Sequence, residues 1–315
     1  MKTLHVISVI SNPLGWQSRR KLFDTFFTRL MQVSKDIPET ADYNLQLHVV
    51  ECLYGDQTPT LNRLRGPARF IGTYMAVHAD DVLWNKENLI NIGISRLPDD
   101  WEYVAWFDAD IVFRSHTWLA DTLDALQKYE VVQPWSYAID LGPEDEPMMV
   151  HRSFALQSAS KARASAKNNY TDWHTGYAWA ARRSLIERTG GLFDKGVLGS
   201  ADNHMAWSFI GNAARRFTQS WPAAYVQSVY DWEKLAFTGA VGVVPGTIEH
   251  LFHGSKKGRG YGWRWKLLKK HDFIPAEHTT YNQYGVLSFS KACPTGLKDD
   301  ILQYFQGRAE DETTI

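Results

Sequence analysis

Residues 102–111 read Glu-Tyr-Val-Ala-Trp-Phe-Asp-Ala-Asp-Ile, and the fold turns on them. The apolar run across residues 103–112 has the length and composition of a buried strand. It carries two carboxylates two positions apart, and in an extended chain that spacing sends Asp108 and Asp110 to the same side. Two carboxylates at the carboxyl end of a strand form a hard, oxygen-rich site that suits a divalent cation carrying phosphates. A bare Asp-x-Asp is also a common solvated turn, so the rest of the chain has to decide between the two.

Outward from this strand, helical and extended patterns alternate. Residues 4–11 read as a buried first strand, broken by Asn12-Pro13-Leu14-Gly15. Residues 17–34 carry Leu22, Phe26, Phe27, Leu30 and Met31 at helical spacing. Residues 45–53 are a second strand, 54–70 a loop rich in Gly, Pro and Arg, and 84–97 a helix stopped by Pro98. A helix over 116–129 and a strand over 131–139 follow. This alternation predicts an α/β domain with a mostly parallel central sheet flanked by helices. Ligands of such sheets bind beyond the carboxyl ends of the strands, where Ser11-Asn12-Pro13 and the Asp pair both fall.

The second half is less periodic. Residues 142–169 read as a long loop over the site. A helix is expected at 180–188, ended by Gly190-Gly191, another at 202–212, and a frayed polar tail over residues 309–315. Residues 256–270 hold seven Lys and Arg and no acid, interleaved with Tyr261, Trp263 and Trp265. Three readings of that segment compete: a lid over a diphosphate with Lys257 or Arg259 reaching phosphates, a solvated helix face, and a local nucleic-acid contact.

Bulk composition narrows the class. The chain has 315 residues, 44% hydrophobic and 22% charged, enough for one large α/β domain or two modest ones. A net charge of −1 argues against a protein that coats nucleic acid or membrane over its whole surface. Two cysteines, Cys52 and Cys293, make neither a disulfide framework nor a zinc spacing. With no signal-like or membrane-spanning stretch, the expected location is cytoplasmic.

Three further pieces can carry chemistry. His250 and His253 in His-Leu-Phe-His-Gly can complete a metal site begun by a carboxylate. Asp202, the only carboxylate between Asp194 and Asp231, follows a Gly-rich turn and opens a helix. There it serves as an N-cap, a general base, or both. Lys86 is either a solvated helix charge or a partner for phosphate.

Taken in order, the first strand with its Pro turn, Asn85-Lys86 with Leu89-Ile-Asn-Ile-Gly-Ile94, the Asp-Ala-Asp strand, the 175–194 stretch, the Asp202 turn and His-Leu-Phe-His-Gly resemble the GT-A glycosyltransferases. The branch with the β-1,4-galactosyltransferases and polypeptide N-acetylgalactosaminyltransferases is the nearest, alongside uncharacterised bacterial and phage glycosyltransferases. The resemblance covers roughly residues 4–265. It implies a Rossmann-like single domain with a nucleotide-sugar half at 1–112, an acceptor and catalytic half at 113–255, and a basic lid and tail at 256–315.

It further implies a nucleoside-diphosphate sugar donor and Mn2+ or Mg2+ held by Asp110 and by His253 rather than His250. Asp108, Ser11, Asn12, Pro13, Glu51 and Lys86 would meet the nucleotide side, and Gly190 and Gly191 would precede the acceptor site. Asp202 would act as the catalytic base, giving inversion. If it only positions the acceptor, retention is open. The family usually shows two adjacent acids there, whereas this chain has Ala201-Asp202-Asn203. The acceptor is open among a glycan, a small molecule and a modified base in DNA. Rival classes are a nucleotidyltransferase or nucleotide-sugar hydrolase on a similar sheet, and a non-catalytic sugar-binding module.

Overall fold

The computed structural model describes residues 1–61, 65–159, 172–254, 256–308 and 310–311, apart from the side chains of Lys256 and Lys257. In chain order the strands are β1 (Lys2–Ser11), β2 (Tyr43–Tyr54), β3 (Ile71–Ala79), β4 (Tyr103–Phe107), β5 (Ile111–Phe113), β6 (Val131–Gln133) and β7 (Tyr137–Leu141). They continue as β8 (Pro147–Ser153), β9 (Trp173–His174), β10 (Ala178–Arg182), β11 (Gly242–Val243), β12 (Thr247–His250), β13 (Thr279–Tyr281) and β14 (Leu287–Phe289). The helices are α1 (Gln17–Asp36), α2 (Lys86–Ile94), α3 (Trp118–Ala125), α4 (Phe154–Ala159) and α5 (Arg183–Thr189). After these come α6 (Ala201–Phe209), α7 (Ala223–Ala236), α8 (Trp265–Lys270), α9 (Pro275–His278) and α10 (Thr295–Gln306).

The central sheet runs β11-β6-β10-β4-β1-β2-β3. Only β10 is antiparallel to its neighbours, β4 and β6. The mostly parallel sheet of one α/β domain is therefore the architecture expected from the sequence. Strand alternation divides the core between its two faces. Val104 and Trp106 face one apolar cluster with Ile90, Leu185 and Trp207, while Ala105 and Phe107 face the other with Phe23, Phe26 and Leu123.

Several boundaries differ from the sequence reading. The strand expected over 103–112 ends at Phe107. The chain then turns through Asp108–Asp110 and re-enters as β5 of a second sheet, ordered β5-β12-β7-β8-β9. The strand expected over 131–139 is split between the two sheets, because Pro134 has no N–H to give a ladder. Residues 142–169, expected as a loop, contain β8 and α4, with 160–171 outside the described residues. The helix expected from residue 180 is preceded by β10, whose small residues Ala180 and Ala181 are fully buried between β4 and β6. Tertiary packing there overrides the helical preference of alanine. Strand β3 lies in a stretch without clear alternation and was not anticipated.

Within the expected frayed tail, residues 310 and 311 are instead held in place, while 309 and 312–315 lie outside the described residues. Glu310 is only 1% exposed. The Asp311 carboxylate accepts the N–H groups of Gln17 and Ser18 at 2.9 Å each. Helix α1 has no capping side chain and no acid of its own in its first turn, so Asp311 supplies both functions from the opposite end of the chain.

Candidate functional site

Beyond the carboxyl ends of β1 and β4 lies a cavity of about 640 Å3. Its wall includes Ser11, Pro13, Lys86, Asp108, Asp110, Asp202, His250, His253 and Arg259. The structure thus collects on one surface most of the residues singled out from sequence. Because β4 ends before the Asp pair, the two carboxylates sit in the crossover between sheets, where both line the cavity but meet different partners.

Asp108 is clamped from both directions. Its Oδ1 meets Lys86 Nζ at 2.5 Å, and its Oδ2 accepts the Tyr177 N–H at 3.2 Å. Burial raises the carboxyl above the usual range, Asp110 adds to this, and Lys86 opposes it. Burial alone would pull the Lys86 ammonium down, but Asp108, Glu87 and Asp202 prevail and hold it firmly charged. Tyr177 holds its place at φ 75°, a left-handed backbone that a non-glycine residue adopts only under constraint.

Asp110 faces two imidazoles. Its Oδ2 lies 3.1 Å from His253 Nε2 and 3.8 Å from His250 Nε2, and the two Nε2 atoms are 3.2 Å apart. Among the described residues, Asp110, His250 and His253 are the group whose ligand atoms gather within 4.8 Å. The Asp110 Oδ1 atom is buried and has no hydrogen-bond partner. One carboxylate and two imidazoles turned to a common point, with a carboxylate oxygen left over, fit a divalent transition metal. Burial would raise the Asp110 carboxyl, but His250 and His253 outweigh it and hold the group well below the ordinary range. Sequence pointed to His253 in preference to His250; the structure brings both to Asp110.

A layer of partners behind these residues went unread in the sequence. His250 Nδ1 is 2.9 Å from Asp140 Oδ1, which also accepts the Tyr177 hydroxyl at 2.8 Å. The other Asp140 oxygen is 2.7 Å from His151 Nε2. Parallel pairing of β12 with β7 sets His250 opposite Asp140. A carboxylate behind a ligating imidazole fixes its tautomer and orientation. The one sequence signal was a lone acid closing the apolar run 137–141. On the other side, Glu310 Oε2 is 3.8 Å from His253 Nδ1 and 2.5 Å from an Arg19 nitrogen. Arg259, 7% exposed, also reaches His253, at 3.1 Å.

Across the cavity, Asp202 lies in the first turn of α6 and accepts from Thr175 Oγ1 at 3.3 Å. Its approach depends on Gly176, where a Cβ would stand 2.8 Å from His174 Cε1 and 3.1 Å from Asp202 Oδ2. The preceding Ser200 has φ 65° and is held by Arg264.

Other expected residues have different settings. The Ser11 hydroxyl meets Tyr54 and Asn85, and Asn12 folds its own turn by bonding the backbone of Trp16. Glu51 is buried away from the cavity wall, accepting from Thr60 and Tyr74. Gly190 closes α5 in the left-handed conformation, and Gly191 packs against Asn91; neither lines the cavity. The side chain of Lys257 lies outside the described residues. The basic segment is divided, with Arg259 and Arg264 buried in the wall and Trp263 exposed.

No protein-family profile and no curated protein matches the sequence. Among solved structures, the chain is similar to the catalytic domain of Drosophila β1,4-galactosyltransferase 7 in complex with xylobiose. The identity is 11% over 96% of this chain and 99% of that one, with a TM-score of 0.40. A Desulfovibrio desulfuricans protein assigned as a nucleotide-diphospho-sugar transferase aligns at 12% identity over 79% and 82%, with a TM-score of 0.34. The 4-diphosphocytidyl-2C-methyl-D-erythritol synthase of Anaerococcus prevotii aligns at 13% over 78% and 89%, with a TM-score of 0.35. At such distances, function has to be read from the side chains of the site.

Proposed function

We propose that this protein is a metal-dependent glycosyltransferase. It would move a sugar from a nucleoside diphosphate to an acceptor with inversion, using Asp202 as the base. The observation that carries this reading is a pair of unlike carboxylates on one cavity. Asp110 is clasped by two imidazoles with one oxygen unmet, and Asp202 is aimed from the facing helix.

Asp110, His253 and His250 would hold Mn2+ or Mg2+, and the imidazoles favour manganese. When bound, the cation supplies positive charge to the diphosphate as it leaves. Asp108, tied to Lys86, presents acceptor oxygens for a ribose. Ser11 and Pro13 line the nucleotide turn after β1, which Asn12 shapes from within. Arg259 stands beside the metal residues and would steady the diphosphate through charge-assisted bonds. Asp202 would take the proton of the attacking hydroxyl, worth about 10²–10⁴-fold for a well-placed base.

The test is a panel of nucleotide sugars with and without MnCl2, reading binding and release of nucleoside diphosphate. One donor is expected to bind and turn over only with metal, and Asp110→Asn is expected to abolish that metal-dependent turnover. Binding of no nucleotide sugar under either condition would overturn the reading.

A further inference from the structure

The far end of the cavity holds side chains that donor chemistry leaves unused. His204 lies two residues beyond Asp202 on α6, is 2% exposed, lines the cavity, and has no partner on either ring nitrogen. Burial pulls the ring down to about 3, with Arg216 and Arg264 adding to the effect, so the imidazole is neutral and offers one donor and one acceptor. The Nε atoms of Arg216 and Arg264 are likewise buried and unmet. Among the described residues, Arg264 bonds only uncharged oxygens, the Tyr304 hydroxyl at 3.0 Å and the Ser200 hydroxyl. Beside them, the Trp221 and Trp265 rings lie 4.4 Å apart at 30°, with His204 5.4 Å from the first and 6.1 Å from the second. The acids on this part of the wall are Asp202 and Glu87. Burial raises the Glu87 carboxyl to about 7, so it is partly neutral and able to donate.

The two indoles pack on each other, Trp221 is also stacked on Tyr225, and Arg264 lies over Trp265, so they form a closed wall beside these groups. Guanidinium groups whose Nε atoms are buried and unmet call for a negative ligand, and a fork of N–H donors suits carboxylate and phosphate alike. We infer that this end is the acceptor subsite, and that the acceptor is a sugar bearing a carboxylate or phosphate, its anion on Arg216 and His204. The inference rests on the glycosyltransferase reading and deepens it.

Matched acceptors test it: glucose against glucuronate for the carboxylate, and glucose against glucose 6-phosphate for the phosphate. Each pair is run with manganese and the donor found in the panel. The anionic member of one pair is expected to win by at least about tenfold in kcat/KM, the size of one charge-assisted contact. Which pair shows the preference identifies the anion. Arg216→Gln should erase the preference, and Arg216→Lys, which keeps the charge but loses the fork, should retain part of it. The same acids are also titrated directly into enzyme with manganese, with and without nucleoside diphosphate, so that binding is read apart from turnover. Equal use of both members of both pairs overturns the inference. So does displacement of the sugar acid by nucleoside diphosphate, which would give the subsite to the donor. Donor binding with metal but no anion preference sinks this inference alone, whereas absence of metal-dependent donor binding sinks the glycosyltransferase reading itself.

Discussion

The two ends of the cavity are built on opposite principles. At the Asp110 end, the polar side chains hold one another: His250 against Asp140, Asp140 against Tyr177 and His151, His253 against Asp110 and Arg259, and Arg19 against Glu310. The buried atoms left over there, Asp110 Oδ1, His151 Nδ1 and Arg259 Nε, belong to side chains that are fixed through their other atoms. At the His204 end, an imidazole and two guanidinium groups keep buried nitrogens with nothing to bond. Buried polar atoms are normally satisfied, and each unmet one costs stability. The difference teaches that the first end is shaped before any ligand arrives, whereas the second is left for a ligand to complete.

The comparison can be broken in order of expected effect. Asp202→Asn, between the two ends, should lower transfer about 10²–10⁴-fold while nucleotide-sugar binding persists. Unchanged turnover would remove Asp202 as the base. Acid comes next. His204, pulled down to about 3 by burial, His48, to about 3 by burial and then by His5, and His5, to about 4 by burial against Asp100, are neutral when folded. Their unfolded values lie near 6.5, so the unfolded chain binds the extra protons. Stability is therefore full above about pH 6.5 and falls as pH drops towards 4, by about 3 kcal/mol for each histidine shifted two units. A urea midpoint independent of pH between 7 and 4 would contradict this.

Asp140→Asn should weaken metal binding about 10–100-fold by freeing His250, as outer partners of ligating histidines do. Manganese titration with and without the substitution reads it directly. His204→Phe should have the opposite sense. Replacing unmet ring nitrogens by carbon is expected to raise stability by about 1 kcal/mol at pH 7 in denaturant melts, while acceptor use falls. A matching loss of stability would mean that the far end is no less satisfied than the other. The smallest effect is expected for Glu310→Gln, which keeps the shape but loosens Arg19 and His253. Manganese affinity should fall by less than the roughly tenfold lower bound for losing an outer partner outright.

How much of this could be read from sequence depended on whether the signal was local. The Asp pair, the α1 stripe and the first two strands declared themselves because each is long and patterned on its own. The Asp pair was misread in one respect. Where β4 stops is decided by its neighbours and by the start of β5, and that turn gives the two carboxylates different partners. The Pro134 break was there to be read, yet short apolar strands on either side looked continuous. Strand β10 is alanine-rich and became extended only because β4 and β6 flank it. Asp140 and Glu310 were unreadable for a different reason. Each is one acid whose role depends on a histidine more than fifty residues away in sequence, and no spacing rule carries that far. Glu51, plausible by position at the end of β2, is consumed by Thr60 and Tyr74, a choice made by a loop of weak pattern.

The closure of Glu310 and Asp311 onto Arg19 and the start of α1 bears on the order in which the molecule is made. A chain grows from its amino end, and the parallel sheet can begin to form while later segments are still being synthesised. The first turn of α1 and the surroundings of His253 are complete only once residues 310 and 311 have been added. A nascent chain can therefore carry Asp110 and both histidines without their finished environment until residues 310 and 311 have emerged.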